Sequence, residues 1–417
     1  MRFYLLRDNI LKLLNVRLRL QVVILWYSVS LMVETRKHSL SFASGLSGIG
    51  RASFSRFLRN HNDVTAYMLS DLSKKKAKQF AAVVKKSGSL PWDIFILIDD
   101  TILSRSSLKS ENVQKFNHGK GYVIGHQWTN ITLSVNGIII PLPPIPFYTK
   151  KYCKVCNMEY RTSHDRLAEY LTNLNLYEYI GYHDSGRAVV LTDSGFDSKI
   201  IQNAVLRQGW HFVGALKSSR GLKSEAKYEK TGKSSGWDGC ADFFRKNRII
   251  AWITVRISAG GPKKRKDFRV RHTAVFLKGV GKVRAVCSEF KKNSGGCRKY
   301  IACSDLKATP HQILTAYGFR WKIEIFHRHV KMHFGFGDIA AKHFTSVESH
   351  VHMVYCAYIM LLTGLPGISG LPGTIPEKQR KVAQILENRE TACVIHELTK
   401  IGGASRLKNK LKSVLAA

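Results

Sequence analysis

The sequence of 417 residues predicts an α/β protein, with a sheet-and-helix domain interrupted by an antiparallel β insertion and helical regions at both ends. Three observations predict it. Ile94-Phe95-Ile96-Leu97-Ile98 and Ala188-Val189-Val190-Leu191-Thr192 are continuous apolar runs, the pattern of central strands covered on both faces. Helical patterns alternate with such strands, as layered α/β folds require. Residues 218–296 abandon that alternation for short strand patterns joined by a glycine turn.

Residues 1–90 lack strand alternation and read as a helical region. Their apolar run from Val22 to Val33 is shorter than the roughly 20 residues of a membrane span and predicts a buried helix. The run begins too far in, and lacks a clear small-residue cleavage site, for a good signal peptide. The region ends in basic stretches, Lys74-Lys75-Lys76-Ala77-Lys78 and Lys85-Lys86. From Ser47 to Leu58 a glycine-containing turn leads into small, polar and basic residues, among them Arg51 and Arg56. A helix-turn-helix that docks in a DNA groove and an ordinary basic helical hairpin both fit this pattern.

Pro91 opens the first part of the α/β domain, residues 91–217. The strand at 94–98 runs into Asp99-Asp100-Thr101. Strands at 125–135 and 137–142 flank Asn136-Gly137, a strong hairpin signal. A helix from His164 to Leu174 follows, then the strand 188–192 with Asp193-Ser194-Gly195 at its end, a helix from Lys199 to Gln208, and a strand from Phe212 to Leu216. The insertion, 218–296, reads as strands at 248–258, 268–276 and 283–287, the last two joined by Lys278-Gly279-Val280-Gly281. Residues 297–345 resume the domain with a strand at 299–303 and one long helix from Pro310 to Lys331. Residues 346–417 read as helical, with a core helix at 351–362 and a Gly/Pro-rich break from Gly364 to Pro376.

Charge narrows the function. Lys and Arg number 66 against 29 Asp and Glu, a net +37. A compact body so charged repels itself unless a polyanion neutralises it. Nucleic acid is the default partner; an acidic membrane surface is the rival, and a small-molecule enzyme is disfavoured. The charge is distributed, with 16 basic and 4 acidic residues in 1–92 and 20 against 6 in 218–296. Within the insertion, Lys263-Lys264-Arg265-Lys266 reads as a solvated loop that touches phosphate. Eight scattered cysteines favour a reducing cytoplasm over a disulfide scaffold. Cys153 and Cys156 have zinc-finger spacing without an evident second pair, so a zinc site stays open.

The helix after Pro310 carries the sharpest signal. At about 100° per residue, Tyr317, Arg320, Glu324 and Lys331 share an arc of about 60°. Phe319, Ile323, Phe326 and Val330 fall on the opposite face. An ion-pair ladder of Arg320, Glu324 and Arg328 would explain the polar stripe alone. Two further carboxylates, Asp100 and Asp193, end apolar strands, where open α/β sheets place ligand-handling groups. Three carboxylates in so basic a chain suit metal-assisted phosphodiester cleavage, since Mg²⁺ takes hard oxygen ligands.

Tyr317-x2-Arg320-x3-Glu324-x6-Lys331 resembles the Y-R-E-K signature of the IS-four family of bacterial insertion-sequence transposases. Asp99-Asp100-Thr101 and Leu191-Thr192-Asp193-Ser194-Gly195-Phe196-Asp197 resemble its two aspartate motifs. The resemblance covers roughly residues 91–345. It implies an RNase H-like catalytic domain whose Asp100, Asp193 and Glu324 bind two Mg²⁺, for which Mn²⁺ can substitute. It implies Tyr317, Arg320 and Lys331 as phosphate-gripping residues, and Trp252 as a stacking candidate in the insertion, with a core role as the bland reading. Its chemistry is hydrolytic cleavage at the element ends, a hairpin intermediate, and 3′-OH transfer into target DNA, carried out by a cytoplasmic homodimer on double-stranded DNA. An RNase H-like junction nuclease and a non-catalytic DNA-binding descendant of a transposase are the alternatives.

Overall fold

In a computed structural model of the chain, the structure describes residues 18–82, 90–106, 108–119, 121–182, 186–258, 265–290, 298–364 and 373–401. Lys85, Lys86, Lys263, Lys264, Cys297 and most of the Gly/Pro-rich break lie outside these residues.

Four helices come first: α1 (Leu18–Met32), α2 (Leu40–Ser47), α3 (Arg51–Asn60) and α4 (Asn62–Ala81). The α/β domain begins with β1 (Ile94–Ser104), β2 (Gln114–His118), β3 (Gly121–Val135), β4 (Ile138–Pro141) and β5 (Ile145–Pro146). It continues through α5 (Lys150–Val155), α6 (Ser163–Asn173), α7 (Tyr177–Ile180), β6 (Ala188–Thr192), α8 (Lys199–Arg207) and β7 (His211–Leu216). The insertion supplies β8 (Gly221–Lys223), α9 (Glu225–Thr231), β9 (Asp238–Gly239), α10 (Cys240–Lys246), β10 (Ile253–Ser258), β11 (Arg265–Leu277) and β12 (Gly281–Phe290). The chain closes with β13 (Lys299–Cys303), α11 (Pro310–Phe319), α12 (Trp321–His333), α13 (Phe344–Thr363) and α14 (Ile375–Ile401).

All thirteen strands belong to one sheet, ordered β2-β3-β1-β6-β7-β13-β12-β11-β8-β9, with β4 and β5 beside β3 and β10 beside β11. Among the described residues only β1–β6 and β6–β7 pair in parallel. The insertion therefore extends the central sheet through β13, which lies antiparallel to β7. Its long hairpin turns where glycine permits positive φ, at Gly279 (φ 76°). The β3–β4 hairpin turns on Asn136 and Gly137, both at positive φ, as a two-residue primed turn requires.

β1 outruns the strand expected from its apolar run. It continues past Ile98 to Ser104 because β3 runs alongside, pairing Asp99 with Asn130 and Asp100 with Thr129. Its parallel partner β6 stops pairing at Leu97–Leu191. Both aspartates thus sit beside the open end of the parallel ladder, not past the end of a strand.

Strand alternation sorts the two faces. Phe95 packs on Phe319 of α11 at 4.9 Å between ring centres, and Trp128 stacks on Phe344 of α13 at 5.7 Å. The face bearing Phe95, Leu97 and Asp99 is therefore covered by α11, α12 and α13. The opposite face, bearing Asp100, is approached by α6, which packs on α8.

The apolar run at 351–362 lies in α13, which is buried over most of its length, and the run at 22–33 forms most of α1. Helices α1, α3 and α4 pack around α13. Polar ties fix the register: Tyr27 Oη to His350 Nδ1 at 2.7 Å, and Thr65 Oγ1 to His352 Nδ1 at 3.1 Å. His350 Nε2 reaches the Gly335 carbonyl at 2.9 Å. Gly335 sits at φ +65°, and a Cβ there would lie 2.5 Å from His38 Cβ, so glycine is needed for this close approach.

Burial pulls the imidazoles of His126, His350 and His352 down to about 4. In the unfolded chain each binds a proton below about 6.5, while the folded state refuses it until about 4. Acid therefore disfavours these folded-state rings: their contribution is full above about pH 6.5 and falls between 6.5 and 4, by about 1.4 kcal/mol per pH unit for each histidine, outweighing the opposite slope of the Asp99 and Glu348 carboxyls that burial raises to about 7. The urea midpoint will be lower at about pH 5 than at about pH 7.5, and His352→Gln will flatten the difference. Equal midpoints at both pH values would contradict this account.

Candidate active site at the end of the parallel ladder

The expected single helix from Pro310 to Lys331 is two helices. Thr309 caps α11 in a reciprocal box with Gln312, and Pro310 occupies the first turn. At Arg320 the ladder tightens: Arg320 N donates to Tyr317 O and Ile323 N to Arg320 O, each at 3.1 Å and each spanning three residues. Gly318, a weak helix former, precedes the break. The break lets α11 follow β6, β7 and β10 while α12 follows β1 and β4 of the same twisted sheet. Ile323, Phe326 and Val330 are fully buried, as the apolar stripe predicts.

Arg320 is the centre of the site. Its guanidinium donates to Glu324 Oε1 at 2.5 Å and to Asp99 Oδ2 at 3.4 Å. Both side chains of the Asp99 pair are largely buried, 15% exposed for Arg320 and 18% for Asp99, while Glu324 is more open at 31%. Burial pushes the Asp99 carboxyl up to about 7; Arg320 opposes the shift, and Asp193 and Asp100 add to it. Burial also raises the Tyr317 phenol, opposed by its hydrogen bond with Arg320 and reinforced by Asp193 and Glu324. Desolvation lowers the Lys331 ammonium, and Asp99 counteracts it. Arg320 and Lys331 thus act on Asp99, while Tyr317 and Glu324 act on Arg320 beside it.

Asp100 faces away from them. Its carboxylate accepts from Gln127 Nε2 and Thr129 Oγ1, both at 2.6 Å. Burial raises its carboxyl; these two hydrogen bonds oppose the shift, Asp193 adds to it, and His164 opposes it. Asp193 begins a single 3₁₀ turn and accepts from Gly195 N at 2.8 Å. It lies at the tip of β6, where its charge reaches Asp99, Asp100 and Tyr317. The structure thus gathers Asp99, Asp193, Glu324, Arg320, Tyr317 and Lys331, and sets Asp100 on the other face.

The donor set is hard oxygen, suited to Mg²⁺. Among the described residues, however, no three His, Cys, Asp or Glu side chains stand close enough to hold one ion. Arg320 is inserted between two of the carboxylates. Cys153 is buried and Cys156 exposed, and among the described residues neither belongs to a group of three or more His, Cys, Asp or Glu that could hold an ion.

Several supporting residues stand outside the sequence motifs. Asn130, opposite Asp99, donates Nδ2 to His327 Nε2 at 2.8 Å and accepts from Tyr355 Oη at 2.6 Å. This chain ties β3, α12 and α13 together beneath Asp99. His327 is three residues from Glu324 and so was visible in the helical arithmetic; Asn130 and Tyr355 required the strand pairing.

The basic surface divides into structural and exposed groups. Arg271 donates to the carbonyls of Phe244, Asn247 and Ile250, and Arg284 to that of Leu306. Glu289, buried, pairs with Arg269 at 3.3 Å and Arg298 at 3.1 Å. Trp252 is half-buried at the core's edge, with Arg269, Arg271 and Arg298 within 4.8–5.6 Å of its ring. In the N-terminal region, α2 ends at Gly48 (φ 72°), and α3 buries Phe54, Phe57 and Leu58 while exposing Arg51, Ala52, Ser55, Arg56 and Arg59. Among the described residues no helix is long and apolar enough to cross a membrane.

Asp197 is not part of the cluster. Its buried carboxylate accepts from Lys217 N at 3.0 Å and Gln202 Nε2 at 3.3 Å, and pairs with Arg220 at 3.3 Å. Asp197→Ala will strand the buried end of this pair and cost about 3 kcal/mol in urea unfolding. A loss below about 1 kcal/mol would mean that the pair does not hold β7 to the loop after β6.

Residues 168–360 match the transposase DDE domain family. The match runs from α6 through α13 and contains Asp193 and Glu324. No curated protein matches the chain. The family match supports a transposase of the DDE type.

Proposed function

We propose that the protein is a Mg²⁺-dependent transposase that cuts DNA at the ends of its own mobile element and transfers the freed 3′-OH to target DNA. In this reading Asp99, Asp193 and Glu324 are the metal-holding carboxylates, and Asp99 takes the place expected for Asp100. The observation that carries it is the Arg320 bridge from Asp99 to Glu324, which joins the Asp99 side chain of β1 to the signature helix on one face of the sheet. Asp100 lies across the strand with Gln127 and Thr129 and is a positioning residue. The order β3-β1-β6-β7, an antiparallel pair beside two parallel ones, supports an RNase H-like catalytic fold.

Two Mg²⁺ ions, for which Mn²⁺ can substitute, would supply Lewis acidity to the attacking and leaving oxygens. Arg320, with its planar fork, suits a bidentate phosphate contact, Lys331 a point-charge contact, and Tyr317 a phenol donor. The exposed basic and small residues of α3 support groove binding by Arg51 and Arg56. Two copies would bring two element ends together, with a hairpin intermediate between cleavage and transfer.

A labelled element end incubated with Mg²⁺ tests this. Asp99→Asn will lose strand cleavage by roughly 10⁴-fold, the scale of removing an essential catalytic group. Asp100→Asn keeps hydrogen-bonding capacity toward Thr129 and will stay within about tenfold of the parent. Both will still bind the DNA. The reverse pattern restores Asp100 to the site, and DNA binding without cleavage by the parent protein removes the catalytic reading altogether.

A further inference from the structure

We infer that Arg320 is a latch on the carboxylate site: its guanidinium closes the gap between Asp99 and Glu324 until a DNA phosphate draws it away. The inference rests on the carboxylate assignment proposed above. The two carboxylates come from different elements, β1 and α12, and one guanidinium satisfies both, at 3.4 Å and 2.5 Å. A cation cannot be held by Glu324 and Asp99 while that fork lies between them. Removing the fork without replacement leaves two half-buried like charges facing each other, which is costly.

The residue is placed to move. Arg320 stands at the break between α11 and α12, where the backbone hydrogen bonds tighten to a three-residue span. Gly318, exposed, lies two residues before it, and a Cβ there would meet nothing. Tyr317, whose ring centre is 6.0 Å from the guanidinium carbon, offers a second resting place along the same helix. The buried anchors of α12, Ile323 and Phe326, do not need to shift. A phosphodiester offers the guanidinium a bidentate anionic partner of matching geometry. Once Arg320 turns to it, Glu324 and Asp99 share a vacancy that a divalent ion fills. DNA and metal then bind with positive coupling, and the coupling is reciprocal. The latch keeps the free enzyme from loading metal and nicking DNA that does not seat at the site.

The test uses the full-length protein and Mn²⁺ as the probe, read as loss of the free-ion paramagnetic resonance signal. Three conditions are compared: no DNA, a duplex carrying the element end, and the same duplex with a neutral methylphosphonate at the cut position. In the parent, DNA will tighten Mn²⁺ uptake about tenfold, within the usual range of coupling between sites. The methylphosphonate duplex will bind without tightening it, and this arm needs no variant that could fail to fold. Arg320→Gln will take up Mn²⁺ without DNA about as tightly as the parent does with it. If parent and Arg320→Gln bind Mn²⁺ equally without DNA, and Glu324→Gln abolishes both, the latch is wrong and the metal site stands. If no arm shows Glu324-dependent uptake, the metal site falls as well.

Discussion

Negative charge crowded beside the end of a parallel ladder is the constraint on which the rest of the structure depends. Asp99 and Asp193 come from neighbouring strands, Asp100 adds a third charge across the strand, and Glu324 arrives from α12. The electrostatic cost is visible in Asp99, which burial drives to about 7 against the pull of Arg320. A chain carrying +37 could have neutralised such a cluster many times over. Instead Arg320 alone, among the described residues, ion-pairs with Asp99 and Glu324, with Lys331 acting on Asp99 from further off, while Arg271, Arg284 and Arg298 go to carbonyls and to Glu289 elsewhere. The acidic cluster is maintained against the trend of the whole molecule.

The scaffold that holds these groups is built around α13. Trp128 and Phe344 fix it to the sheet, Tyr355 reaches Asn130 beneath Asp99, and its histidines accept the N-terminal helices. Because Asn130 also meets His327, the position of Glu324 relative to β1 is set by a hydrogen-bonded chain through three elements, not by α12 alone. Burial drives His327 down to about 3, so at neutral pH its ring is uncharged and can accept from Asn130.

Much of this was legible in the sequence. The strand 188–192, the strand 299–303, the Asn136-Gly137 turn and the two apolar core helices stand where local patterns put them, because each depends on neighbours in sequence. What escaped depends on distant partners. β1 lengthens only because β3 runs beside it, and the insertion joins the central sheet only through β13 and β7. The break at Arg320 follows from two helical halves packing on different strands. The choice between Asp99 and Asp100 illustrates the limit most sharply. A strand turns successive side chains to opposite faces, so the choice requires knowing which face the signature helix covers. The resemblance named Asp100; Phe95 against Phe319 puts Asp99 on the face that the helix covers.

The cladding of α13 also constrains how the chain reaches its native state. Tyr27 and His350 are 323 positions apart, and Thr65 and His352 are 287 apart. These helices thus bury their apolar faces against one synthesised about 300 residues later. Such long closures are slow, since loop entropy must be overcome before the contact repays it. While the intervening chain is made, Ile24, Leu31 and Phe54 lack their final cover, a period in which aggregation competes with folding.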